Sequence, residues 1–140
     1  MGNRVNSQTS PRSLWLGVYQ RLHFLNEFGE RSIMPTPIIE LEAIRGTDFS
    51  QIVTLADNQN APVSTNNAQG LFIIRTHERG TILVQKTNLN GISFGTSNME
   101  IRLTESELDA IQYNTLHYDL FLHLQGDVKK KIARGPFFLE

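Results

Sequence analysis

Four groups of side chains have types and spacings that chemistry could use. His117, Asp119 and His123 stand two and four residues apart, a pattern that puts imidazole and carboxylate ligands on one face of a strand. At about 3.3 Å per residue, His117 and His123 are about 20 Å apart, so no single metal ion is held by all three. An outward polar face is the simpler meaning. Lys129-Lys130-Lys131 has the charge to meet a phosphate. In a chain of net charge −1, three lysines of alternating direction read more simply as a guard against edge-to-edge pairing. Glu105, Glu107 and Asp109 have the look of a carboxylate site, but the first turn of a helix also favours acids because its free N–H groups carry partial positive charge. Arg45-Gly46-Thr47-Asp48 holds a variant integrin-type tripeptide only as Arg-Gly-Thr, and the same four residues make a turn.

No nucleophile–base constellation can be drawn, and neither His-Glu-x-x-His nor a phosphate loop is present. Gly91, Gly95, Gly126 and Gly135 are spaced as turns and bends. Cysteine is absent, which excludes disulfide scaffolds, thiolate zinc sites and cysteine nucleophiles. The chain therefore reads as a non-enzyme, with no catalytic, metal or cofactor-binding residues. Its near-zero net charge makes no case for nucleic acid as a partner. The longest apolar runs are about five residues, far short of the ~20 that span a bilayer, so no membrane insertion is expected. The opening MGNRVNSQTS is polar and residues 14–16 are too short for the apolar core of a signal peptide, so export is not expected either.

The elements that must carry these groups are mostly strands. Met99, Ile101 and Leu103 alternate with Glu100 and Arg102, the period of a half-buried strand. Thr104 and Glu107 form a Thr-x-x-Glu capping box, which predicts a helical turn over 105–112 carrying Leu108 and Ile111 inward. Tyr118, Leu120, Leu122 and Leu124 then share one face of a longer strand, and Gly126-Asp127 signals a hairpin into the apolar end of the chain. Upstream, short strands are expected near 39–43, 49–55, 71–75, 81–86 and 92–94, with polar turns between them. Asn90-Gly91 is the strongest hairpin signal. Residues 57–69 form an Asn-rich loop. About seven short strands at spacings of about 10 residues argue for a single antiparallel β-sandwich of immunoglobulin-like type over any βαβ arrangement. Tyr118 stands where such a sandwich places its corner tyrosine. A strict two-residue turn at Gly126-Asp127 would put Ile132 opposite Phe121, on the wrong face. Either a bulge near 129–131 shifts the register or both faces are covered.

Residues 1–37 differ in texture from the rest, giving an N-terminal arm ahead of a sandwich domain over 38–140. Residues 1–12 are polar. In residues 13–28, Leu14, Val18, Leu22 and Leu25 fit helical spacing, with Ser13 as cap and Gly29 as stop. A helix is expected, with a pair of short strands as the alternative because Gly17 weakens a helix interior. ERSIMPTP, residues 30–37, holds two prolines and acts as a linker. The apolar segment either packs on its own sandwich or anchors in a neighbouring subunit through Leu14, Trp15, Val18, Tyr19, Leu22 and Phe24, residue types that carry binding energy at interfaces.

Several of these features together resemble a family. They are Arg45-Gly46-Thr47-Asp48-Phe49, the strand 52–55 followed by Asp57, a strand ending in Arg75, and Ile101-Arg102-Leu103-Thr104-Glu105-Ser106-Glu107. Tyr118-Asp119-Leu120 then leads through Gly126-Asp127 to Arg134-Gly135-Pro136-Phe137. From Ala43 onward the chain looks like the small immunoglobulin-like sandwich domains of tailed-phage virion proteins, closest to the N-terminal domain of baseplate upper proteins and tail-fibre-proximal proteins. The resemblance covers about 70% of the chain, and residues 1–37 depart from it. It implies a virion component, assembled in the host cytoplasm, that joins tail, baseplate or fibre attachment without catalysis. Its implied partners are other virion proteins, in several copies around a symmetric assembly. A capsid or neck position is a variant of that reading. The alternative from another class is a carbohydrate or host-surface module, using loop 57–69 and outward aromatics such as Phe121 to hold a glycan.

Overall fold

The computed structural model describes residues 12–16, as backbone, together with 36–56 and 61–140. Alternation of apolar and polar residues sets its architecture. The described strands are β1 (Arg12–Leu16), β2 (Leu41–Ala43), β3 (Phe49–Leu55), β4 (Gln69–Arg75), β5 (Ile82–Thr87), β6 (Ile92–Gly95), β7 (Asn98–Leu103), β8 (Thr115–His123) and β9 (Lys130–Leu139). One short helix, α1 (Glu105–Asp109), lies between β7 and β8. The strands form a four-stranded sheet in the order β1-β3-β7-β6 and a five-stranded sheet in the order β2-β9-β8-β4-β5. Within these sheets β1 runs parallel to β3 and β2 parallel to β9, while the other pairs are antiparallel. The molecule is a mainly β, two-sheet sandwich.

The core is the sum of the inward faces. Phe49, Val53 and Leu55 of β3 and Met99, Ile101 and Leu103 of β7 meet Phe72 and Ile74 of β4, Tyr118, Leu120 and Leu122 of β8 and Phe137 of β9. Phe49 and Phe137 bridge the two layers, meeting edge-on at 5.4 Å between centroids, while within the five-stranded sheet Phe72 lies 5.5 Å from Tyr118. Edge-on packing sets the positive rim of one ring against the negative face of the next.

Three local features differ from, or decide between, the readings of the sequence. Residues 12–16 are a strand, so the start of the expected helix at Ser13 and Leu14 is instead extended and hydrogen-bonded along β3, with Leu14 opposite Val53 and Trp15 opposite Thr54. Pairing with a partner far along the chain overrides local spacing here. The turn here is Asn88-Leu89, closed by reciprocal backbone bonds between Thr87 and Asn90; Asn90 and Gly91, the latter at φ +99°, follow it, so the expected turn is displaced by two residues. It does not close a hairpin, because β5 belongs to one sheet and β6 to the other. Between β8 and β9 a bulge settles the register. Leu120 pairs with Ala133 but Phe121 pairs with Lys131, leaving Ile132 as the extra residue, and Ile132 is buried. The turn itself centres on Gln125 and Gly126, the Asp127 N–H donating to the Leu124 carbonyl at 3.1 Å.

Candidate functional site

Tyr118 is positioned by β8 at the middle of the core, 1% exposed. Its hydroxyl donates to the Ile39 carbonyl at 2.7 Å, across 79 residues of chain. A corner tyrosine would bond to backbone a few residues upstream, so that expectation is corrected: Tyr118 ties β8 to the segment entering β2. The same segment lies tight on β9. Arg134 N–H donates to the Pro37 carbonyl and Ile39 N–H to the Arg134 carbonyl. Gly135, at φ +149°, leaves space that a β-carbon would fill only 2.6 Å from the Ile39 oxygen. Only glycine suits both that dihedral and that approach.

At one end of the sandwich Arg45 gathers the loop after α1. Its guanidinium donates to the carbonyls of Ile111 and Tyr113 and to the Asn114 side chain. The Asp109 carboxylate accepts from Gly46 N–H at 2.8 Å, and that of Asp48 from Glu105 N–H at 2.8 Å. The Arg-Gly-Thr sequence is therefore a structural turn whose arginine is engaged by backbone carbonyls. The capping box is present as expected: Thr104 Oγ1 accepts from Glu107 N–H at 3.2 Å, and Glu107 Oε1 accepts from Thr104 N–H at 2.8 Å.

Glu107 has a second task that the sequence reading missed. Lys86, on the edge strand β5, turns inward and is only 3% exposed, and its ammonium donates to Glu107 Oε2. Burial pushes the Glu107 carboxyl up. The hydrogen bond from Lys86, those from Thr104 and the lysine charge outweigh it and hold the carboxyl below its usual value. Beside this pair a cleft of about 440 Å³ runs along β5, lined by Leu83, Val84, Gln85, Ala110, Ile111 and Tyr113 among others.

On the outer face of the five-stranded sheet, Asp119 is buried among basic side chains. Lys131 Nζ lies 3.2 Å from its Oδ1, His117 Nε2 3.3 Å from the same oxygen, and Arg75 Nε 3.7 Å from Oδ2. His123 is elsewhere, its Nε2 2.8 Å from the Asp127 carbonyl oxygen. The structure thus joins His117 to Asp119 and separates His123 from both. Among the described residues no three His, Asp or Glu side chains are grouped to hold a metal. Lys129 and Lys131 lie over the Phe121 ring at 5.1 and 5.5 Å, so this outward aromatic already carries two cations. Lys130 and Lys131 occupy the part of β9 that β2 does not cover, with Lys129 just before it, since β2 pairs only with 137–139. A second cleft, lined by residues 62–67 and 94–97, opens beside the part of the Asn-rich loop that is described.

One further string carries the letters of a catalytic motif. Gly91-Ile92-Ser93-Phe94-Gly95 has the letters Gly-x-Ser-x-Gly. A nucleophile elbow sets its serine on a strand-to-helix turn, whereas Ser93 lies within β6, paired opposite Glu100 in a hairpin. It has no elbow geometry. Of the arm residues named as an anchor, Leu14 and Trp15 lie in β1, while Val18, Tyr19, Leu22 and Phe24 fall outside the described residues, as do most of the expected helix and linker.

No protein-family model matches the chain, and no curated protein is recognisably similar to it in sequence. In fold it is similar to the N-terminal domain of phage TP901-1 ORF48, with a TM-score of 0.51 over 93% of this chain and 98% of that chain, at 11% sequence identity. At that identity the likeness is one of fold.

Proposed function

We propose that this chain is a non-enzymatic virion structural protein of a tailed phage, of immunoglobulin-like sandwich type, that joins the tail, baseplate or fibre-attachment region through its N-terminal arm and its sheet edges. The observation that carries the reading is the match to a phage domain along nearly the whole of both chains. It supports the resemblance noted from residues 43–140. The division into an arm over 1–37 and a sandwich over 38–140 belongs to the same proposal, with residues 13–28 as the anchor, of which 13–16 already pair with β3 of the same chain, and other virion proteins as partners. The polar groups described above fit this role, for they are joined to one another in structural contacts: Arg45 to carbonyls, Lys86 to Glu107, Asp119 to Lys131.

The test is composition of purified particles. Mass spectrometry of virions from the phage encoding this chain is expected to find it in fixed proportion to the tail proteins. Abundance in infected cells with absence from purified particles would overturn the reading. Binding on a glycan array by the free protein would then favour the carbohydrate-module alternative, for which the polar cleft at 62–67 and 94–97 is the natural seat.

A further inference from the structure

Four strands close the edges of the two sheets: β1 and β6 on one, β2 and β5 on the other. Three of them are short or carry a charged residue or a glycine. β2 has three residues and contains Glu42, β6 has four and ends on Gly95, and β1 opens on Arg12. β5 has six residues, Ile-Leu-Val-Gln-Lys-Thr, with no proline, no glycine and no exposed charge, and it bulges at Leu83, the extra residue opposite Ile74 and Arg75 of β4. Its one ion, Lys86, is buried against Glu107. Exposed hydrophobic side chains gather on the same side. Ile82 is 44% and Leu83 36% exposed, Leu89 on the turn at the strand's end is 94% exposed, and Tyr113 at the rim of the flanking cleft is 50% exposed. Among the described residues these are four of the six large hydrophobics that face solvent.

Among the described residues no strand lies beyond β5, and an uncharged, apolar edge is a template for another strand. We propose that β5 is a self-association edge, pairing antiparallel with β5 of a second copy about a two-fold axis and joining two five-stranded sheets into one. The occupant follows from charge and symmetry. A strand with no exposed charge meets its own copy without placing like charges opposite one another, and a two-fold contact uses the same patch on both partners. Ile82 and Leu83 of each copy are then covered by the other, and the cleft beside β5 receives apolar side chains at the rim of the new pair. The proposal deepens the assembly reading, on which it rests, by naming one edge and one partner.

The absence of native cysteine makes a direct test available in the full chain. Light scattering is expected to give twice the 15.9 kDa chain mass. Among the single variants Ile82→Cys, Leu83→Cys and Gln85→Cys, at least one is expected to cross-link to itself under mild oxidation, since opposed residues of an antiparallel pair have β-carbons about 5 Å apart. Leu83→Lys is expected to weaken the dimer at least tenfold, while Val128→Lys, exposed on the β8–β9 turn, leaves it unchanged. A mass of one chain at every concentration would overturn the proposal. So would a dimer that survives Leu83→Lys with no self-cross-linking, which would move the contact to the arm or to another edge. Particles that contain the chain while the free protein stays monomeric would overturn β5 pairing alone and leave the virion reading in place.

Discussion

The two edges of the five-stranded sheet are built in opposite ways. At β2 the edge strand is only three residues long, yet the segment leading into it is held by specific contacts: the Tyr118 hydroxyl on the Ile39 carbonyl, the Gly135 approach, and backbone bonds from Arg134 and Ile39. At β5 the strand is twice as long, but its outer side carries Ile82 and Leu83 and no charge, and its one polar anchor, Lys86 to Glu107, points inward. Directional contacts specify one geometry and resist sliding. Apolar exposure is non-directional and accepts a partner. The difference separates an edge finished within the chain from an edge left for assembly, and each side can be broken separately.

The largest effect is expected at the closed edge. Tyr118→Ala removes a buried aromatic and leaves a cavity between the sheets, with an expected cost of about 3–5 kcal/mol measured by denaturant unfolding. Tyr118→Phe keeps the ring and loses the hydroxyl's bond to Ile39, at about 1 kcal/mol. Equal costs for the two would mean that the hydroxyl, rather than packing, closes this edge. Next comes Gly135→Ala. Its β-carbon would sit 2.6 Å from a backbone oxygen at a dihedral that side chains avoid, so a loss of about 2–3 kcal/mol is expected. A change under about 0.5 kcal/mol would show that the segment over 36–40 relaxes freely, and the edge would not be specifically closed.

At the open edge the anchor titrates. The Glu107 carboxyl is held below its usual value in the folded state, so its contribution is present above the unfolded-state value and is lost as pH falls through the lower folded one. Glu107→Gln keeps an acceptor for the Thr104 N–H but removes the charge facing Lys86. The expected loss near neutral pH is about 1–2 kcal/mol, the range for a hydrogen bond to a charged group. That gap should close as both proteins are taken through the ordinary carboxylate range into stronger acid. A gap that stays constant through acid would place its origin in the cap and not in the ion pair.

What could be read from sequence was local. Alternation in 99–103, the Thr104–Glu107 box and the leucine face of β8 each depend on neighbours within a few residues, and each stands in the structure. Even the bulge at Ile132 was foreshadowed, because a strict turn puts that residue on the wrong face. The misses are long-range. Residues 12–16 fit a helical spacing until β3 is available to pair with. Asn90-Gly91 puts the turn two residues late, and nothing local says that the next strand joins the other sheet. The partner of Tyr118 lies 79 residues away. Lys86 reads as one more polar strand residue until Glu107, 21 residues on, is seen to neutralise it. The Asp119 cluster was half legible: the His117 spacing was visible, but Arg75 and Lys131 reach Asp119 only through the strand order.

The smallest effect on folding sharpens the comparison most. Leu83 is partly solvent-exposed on β5 and adjoins no described charge pair of its own, so Leu83→Lys is expected to change stability by no more than about 0.5 kcal/mol. A charge there guards the edge as natural edge strands are guarded. If unfolding is unchanged while self-association falls, stability and assembly are carried by different edges of one sheet. A loss of about 2 kcal/mol or more would instead mean that Leu83 is held by its own chain, and β5 would be as closed as β2.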